Sequence, residues 1–124
     1  MAKERVAILG ASDNPERYSY KALKMLEEYQ HLPFPVTPRL ARLDGHDVAK
    51  KLSQLKNIDT VTVYVNPDIL REQMTELLAL KPRRVIFNPG TESREMAEQL
   101  EKAGIHTVEA CTLVLLRTNQ FESV

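Results

Sequence analysis

The chain has one cysteine, no tryptophan, four glycines and no surplus of either charge in 124 residues. A single Cys cannot close an internal disulfide, which excludes the disulfide-stapled secreted class and fits a reducing compartment. Seventeen basic side chains match seventeen acidic ones. A nucleic-acid binder led by phosphate contacts would show a basic excess, so that class is set aside. Seven prolines and four glycines are too few for a linker or a low-complexity chain. No window approaches the ~18 apolar residues that a membrane span needs. The opening Met1-Ala2-Lys3-Glu4-Arg5 is charged, and the apolar run behind it, Val6 to Leu9, is too short for a signal-peptide core. These absences predict a soluble cytoplasmic protein with neither a nucleic-acid nor a membrane partner.

What remains is ordinary globular composition, with 43% hydrophobic and 27% charged residues. The length suits one domain, 1–124, and no repeat or linker divides it. Val6 to Leu9 reads as a buried strand that stops at Gly10. Ala22, Met25, Leu26 and Tyr29 then repeat at helical spacing over 19–30, with Ser19 placed to cap the helix. Phe34 to Thr37 is a short strand broken by proline. Val48, Leu52 and Leu55 suggest a short helix. Thr60 to Val65 is β-branched and reads as a central strand. Asn66-Pro67-Asp68 starts a helix, because Asn caps, Pro fits the first turn and Asp complements the dipole. Leu70, Met74, Leu77 and Leu78 form its apolar face. A fourth strand, Val85 to Phe87, leads through the Asn88-Pro89-Gly90 turn to a helix over 92–103. Its inward positions are Met96, Ala97, Leu100 and Ala103, and Gly104 ends it. A fifth strand spans Ile105 to Val108, and Leu113 to Leu116 gives a short buried helix.

Apolar strands alternating with amphipathic helices predict an α/β fold, a doubly wound five-stranded parallel sheet with a short C-terminal helix. The expected strand order is 3-2-1-4-5, with a ligand crevice at the carboxyl ends of strands 1 and 4. The segments gathered at that edge are small and polar. Gly10 permits a tight turn, Ser12 offers a hydroxyl, and the following helix offers free N–H groups to a pyrophosphate. Only the first glycine of the G-x-G-x-x-G fingerprint is present.

At the end of strand 2, where an NAD site places an acid, stand Thr37-Pro38-Arg39, with Arg42 three residues on. A cation there suits a ribose that carries its own phosphate, as in coenzyme A or NADP. Residues 1–56 hold ten basic and seven acidic groups, and residues 57–124 hold seven and ten. The positive half therefore brings Arg17, Lys21, Arg39 and Arg42 toward the crevice. His31, His46 and His106 show no metal-ligand spacing, and no nucleophile–His set assembles. Cys111, just past strand 5, reads either as a buried inert thiol or as one near the crevice mouth.

Val6-Ala7-Ile8-Leu9-Gly10-Ala11-Ser12, followed by Asn14-Pro15, Arg17 and Ser19, resembles the opening of the small stand-alone CoA-binding proteins, roughly V-G-A-S-x-N-P-x-R-x-S. Those are similar to the CoA-binding domain of the succinyl-CoA synthetase α subunit. The resemblance continues through Val36-Thr37-Pro38, Tyr64-Val65-Asn66-Pro67 and the turn ending at Gly90, and covers residues 5 to about 117. Thr37 replaces an Asn common in relatives. Phe87-Asn88-Pro89 replaces an aromatic residue and Gln, and His31-Leu32-Pro33-Phe34 stands where relatives turn with a Gly.

The resemblance implies a Rossmann-like domain that binds coenzyme A. By position, Gly10, Ala11, Ser12, Arg17 and Ser19 would meet the phosphates. Thr37, Pro38 and Arg39 would border the adenosine end, and Tyr64, Val65, Pro67, Asn88 and Gly90 would line the path of the pantetheine arm. The synthetases keep their phosphorylated His and nucleotide-activating machinery outside this domain. The expectation is therefore a CoA or acyl-CoA binding protein without catalysis of its own. A minimal NADP-dependent enzyme and an accessory subunit of an acyl-CoA-handling complex are the alternatives.

Overall fold

A computed structural model describes residues 3–124. In chain order the elements are β1 (Arg5–Leu9), α1 (Tyr18–Glu28), β2 (Leu32–Val36), the two-residue strands β3 (Arg42–Leu43) and β4 (His46–Asp47), β5 (Thr60–Val63), α2 (Pro67–Glu72), α3 (Met74–Leu80), β6 (Arg84–Phe87), α4 (Arg94–Lys102), β7 (His106–Glu109) and α5 (Thr112–Arg117). Five strands form one parallel sheet in the order β2-β1-β5-β6-β7, and β3 and β4 form a separate antiparallel hairpin. This is the predicted Rossmann-like α/β fold, with the short C-terminal helix in place as α5.

The strand order departs from 3-2-1-4-5 in one respect. The third long strand, β5, pairs with β1 (Val6 opposite Thr60, Leu9 opposite Val63) and does not flank β2. The order is thus 2-1-3-4-5 in long strands, and the reversal falls between the first and third rather than the first and fourth. The cause lies in β2 itself. Leu32 N donates to Glu4 O and Val36 O accepts from Gly10 N, so the even-numbered residues face β1. Pro33 and Pro35 then face the outer side, where two successive donors are missing. Such a rim cannot receive another full strand, which makes β2 an edge. Only an isolated bridge to Ala49 forms there, with Ala49 N donating to Pro35 O.

Alternate residues of β1 enter opposite layers. Ala7 and Leu9 pack with Val61, Val63, Leu70, Leu77, Met96 and Leu100 beneath α2–α4. Val6 and Ile8 pack with Leu23, Leu26, Leu115 and Leu116 beneath α1 and α5. Each fully buried aliphatic side chain contributes about 1.5–3 kcal/mol.

Local expectations hold where a capping mechanism is present. The expected Asn66 cap is in place, its side chain accepting from Ile69 N; Ser93, for which no cap was expected, closes the start of α4 by accepting from Met96 N. Others give way. Ser19 lies inside α1 and is buried, while Arg17 takes the N-cap position without a side-chain cap. The helix expected around Val48–Leu55 shrinks to a 3-10 turn at Leu52–Gln54. The helix after Pro67 breaks at Gln73 into two. Ala103 is exposed.

The opposite end of the sheet carries a buried ionic network. Arg84, fully buried, donates through Nη2 to both oxygens of Glu4 (3.0 and 3.1 Å) and through Nε to Thr60 Oγ1 at 3.0 Å. Its Nη1 donates to the carbonyls of Phe121 and Val124, and its guanidinium lies over the Phe121 ring. Burial holds the Arg84 value below the ordinary one while the Glu4 carboxylate opposes that shift. An arginine in such a place remains charged. No helix is long and apolar enough to cross a membrane among the described residues.

Candidate functional site

The sheet reversal between β1 and β5 opens a cleft of about 830 Å³ at the carboxyl ends of the strands. One wall is the β1–α1 loop and the first turn of α1, from Gly10 to Ser19. The floor and second wall come from Tyr64, Val65, Asn66 and Ile69, with Pro89 and Thr91 beyond them and Arg39 and Leu40 at the β2 side.

The β1–α1 turn is held tightly. Gly10 has φ +94°, a region that favours glycine. A Cβ there would lie 2.8 Å from Val65 Cγ1 and 3.1 Å from the Tyr64 carbonyl carbon. The residue is thus required by the neighbouring loop as well as by its own dihedral. The N–H groups of Gly10 and Ala11 both donate to Val36 O, at 3.0 and 3.1 Å. Neither is free for an anion. The loop then turns on side chains: Ser12 Oγ accepts from Asn14 N, and Asn14 Oδ1 accepts from Glu16 N. α1 is eleven residues long, carries no acid in its first turn and has no side-chain cap. Its positive dipole end therefore opens on the cleft beside Arg17.

Two arginines reach this space. Among the described residues no carboxylate lies within ion-pair range of Arg17 or Arg39, and both are exposed at the cleft. Arg42 is committed elsewhere, pairing with Asp47 and donating to Gly45 O. Two carboxylates, Asp13 and Glu16, stand on the same wall as Arg17, so the cleft is amphoteric rather than simply basic.

Of the residues expected at the site, Gly10, Ala11, Ser12, Arg17, Ser19, Arg39, Tyr64 and Val65 line the cleft. Thr37, Pro38, Pro67, Asn88 and Gly90 do not. Thr37 is buried, with Oγ1 accepting weakly from Arg39 N at 3.4 Å. Pro67 is the first residue of α2, and Pro38 is exposed beside Arg39. Asn88 is a buried brace: Nδ2 donates to Thr62 Oγ1 (2.7 Å) and Val63 O (2.9 Å), and Oδ1 accepts from Thr112 N (2.9 Å). It ties β5, β6 and α5 together below the cleft. Gly90 has φ +92° and donates to Glu92 Oε1.

Asn66 and Pro89, in segments that the sequence gathers at the crevice edge, line the cleft, and so do Ile69 and Thr91, which sequence reasoning passed over. Asn66 also caps α2 by accepting from Ile69 N, and Thr91, whose hydroxyl donates to Asn88 O, carried no motif.

Tyr64 occupies the floor. Its hydroxyl is buried beside Thr62 and Thr112, which are bonded to each other at 2.8 Å, and it has no partner of good geometry. Burial pushes this phenol well above its ordinary value, so it stays protonated at neutral pH. Cys111 is half-buried at the start of α5 and is not part of the cleft lining.

A family model described as a CoA binding domain matches residues 4–117. The chain belongs to that CoA-binding domain family. A crystal structure of an uncharacterized protein is 38% identical, covers 98% of this chain and 100% of its own, and superposes with a TM-score of 0.93. A Thermus thermophilus protein is 31% identical over 96% of this chain and 91% of its own, with a TM-score of 0.87.

A dinucleotide-forming acetyl-coenzyme A synthetase 1 of Ca. Korarchaeum cryptofilum, in complex with phosphate and ADP, is 18% identical. The match covers 86% of this chain but 25% of the synthetase, with a TM-score of 0.73, and shows a shared fold alone. In this member of the CoA-binding domain family the Gly10-Ala11-Ser12 turn lies at the cleft, while Asn88 is part of the scaffold beneath it.

Proposed function

We propose that this cytoplasmic chain binds coenzyme A or a short acyl-CoA in the cleft between β1 and β5, and that it holds its ligand without transforming it. The observation that carries this reading is the pairing of an uncapped α1 N-terminus with two unpaired arginines, Arg17 and Arg39, on separate walls of one cleft. A 5′-pyrophosphate suits the helix end, and a ribose phosphate suits Arg39. Family membership and the name of the synthetase that shares the fold support the same ligand class. Among the described residues the cleft lining holds neither His nor Cys, and Tyr64 is a phenol pushed away from neutral titration. A lining without thiol or imidazole supports carriage, with the carboxylates Asp13 and Glu16 as its remaining acid–base groups and any catalysis supplied by a partner that handles acyl-CoA.

The competing ligand is NADP, because its 2′-phosphate also suits Arg39. Calorimetry against CoA, acetyl-CoA, NADP, NAD and ATP decides between them. CoA or acetyl-CoA should bind best and NAD weakest. Tight NAD binding with no heat from CoA would sink the proposal, and NADP binding above CoA would transfer it to the redox class.

A further inference from the structure

Arg39 sits on an excursion of the chain, 37–49, that leaves the end of β2 and returns to it. The base is closed by backbone bonds: Thr37 N donates to Ala49 O at 2.9 Å, and Val48 N to Ala41 O at 3.0 Å. The tip is the Asp44-Gly45 turn of the β3–β4 hairpin, with φ of +47° and +85°. This tip is tied to α1. The Tyr20 hydroxyl donates to Asp44 Oδ2 at 2.6 Å, Lys24 Nζ donates to the same oxygen at 3.1 Å, and His46 Nε2 lies 2.6 Å from Glu27 Oε2. Leu43 is buried under the hairpin, and Arg42 stiffens it by bonding Asp47 and Gly45 O.

One helix therefore carries both ends of an arrangement. The N-terminus of α1 opens with Arg17 on the cleft, and Tyr20 and Lys24 of the same helix hold the tip of the segment that bears Arg39. Resting on the CoA reading above, we propose that the Asp44 clasp with Tyr20 and Lys24 is a specificity device: it sets the gap between Arg39 and the α1 N-terminus, and so selects a ligand with two phosphate groups at that spacing. Asp44, Tyr20 and Lys24 are positioning residues that act through Arg39. Both contacts of the clasp are exposed, and exposed pairs add little to global stability. Fixing the Arg39 wall relative to the helix wall affects affinity directly, because a pre-set spacing removes the ordering cost of binding.

The test uses the full chain and two variants outside the cleft lining. The double variant Tyr20→Phe with Lys24→Met removes both donors and leaves the turn intact. Asp44→Asn keeps a residue that tolerates positive φ, and its amide oxygen still accepts from Tyr20. Affinities for CoA and dephospho-CoA are measured by calorimetry, with melting temperature alongside. The double variant should lower the preference for CoA over dephospho-CoA by roughly two- to fivefold, the size that exposed ion pairs reach. Asp44→Asn should lower it less, and the melting temperature should move little. Equal weakening of both ligands, or an unchanged preference in the double variant, overturns the inference while leaving the CoA reading intact. A wild-type chain that binds neither ligand refutes the CoA reading, and the inference falls with it.

Discussion

Replacing Gly10 by alanine tests how the cleft is built. The added Cβ meets two separate penalties. Its φ of +94° disfavours an L side chain, which costs about 1–2 kcal/mol. The same Cβ lies 2.8 Å from Val65 Cγ1, 3.1 Å from the Tyr64 carbonyl carbon and 3.2 Å from its oxygen. A Val methyl can rotate away, but the Tyr64 backbone is pinned by its N–H donating to Leu9 O at 2.8 Å. Overpacking against fixed backbone adds about 1–3 kcal/mol, so Gly10→Ala should lose about 2–5 kcal/mol in all.

Gly90 supplies the control. It has a similar φ of +92°, but nothing lies within 4 Å of its Cβ position. Gly90→Ala should therefore lose only the dihedral part, about 1–2 kcal/mol. Urea unfolding of both variants measures the difference. For a chain of this length the melting point should fall about 3–5 °C per kcal/mol. Equal destabilisation of the two would refute the crowding argument. A neutral Gly10→Ala would refute the dihedral argument as well. Because the crowding atoms belong to the loop across the sheet reversal, ligand affinity should fall together with stability.

Arg39→Ala should weaken CoA roughly ten- to a hundredfold, since a charge-assisted hydrogen bond is worth ~1.5–3 kcal/mol, and should leave dephospho-CoA nearly unchanged in calorimetry. Glu4→Gln strips the charge that balances the buried Arg84, and should cost about 3–5 kcal/mol in denaturant unfolding while the folded fraction binds normally. Asn88→Ala orphans Thr112 N and Val63 O, and should cost about 2–4 kcal/mol, seen as a lower urea midpoint. The Tyr20 and Lys24 hydrogen bonds hold the Asp44 carboxyl below its usual range. Its contribution is complete above the unfolded carboxyl value, near 4, and is lost as pH falls through the lower folded value. The protection of the hairpin amides, taken relative to the intrinsic exchange rate at each pH, should therefore fall only in that acid window, and the same loss of protection at neutral pH would contradict the clasp.

The fold class was readable because each strand is a short apolar run and each helix has a periodic face, signals that local burial imposes directly. The order of strands was readable too, in Pro33 and Pro35, but only through a register argument. Two prolines two apart remove donors from the same rim, and that marks β2 as an edge. Treating them merely as breakers placed β5 on the wrong side. That Gly10, Ser12 and Arg39 lie at the cleft was legible because each follows the end of a strand, and Arg17 was placed there by the resemblance of its motif. The role of Asn88 was not legible. A polar side chain beyond a strand is needed equally to satisfy buried backbone and to touch a ligand, and only the coordinates show its three bonds turned inward. The Glu4–Arg84 pair spans 80 positions, beyond the reach of any periodicity.

That pair sits at the amino ends of the strands, as far along the sheet as the fold allows from the cleft at their carboxyl ends. Its arginine, on the fourth long strand, gathers Glu4 at the start of the first, Thr60 of the third and the C-terminal turn around one charge. The buried ionic anchor and the candidate cleft thereby lie at opposite poles of the molecule. Arg17, Arg39 and Asp44 are exposed and make none of that anchor's contacts, so substitutions there leave the keystone intact, whereas Gly10 and Asn88 at the cleft pole belong to the scaffold itself.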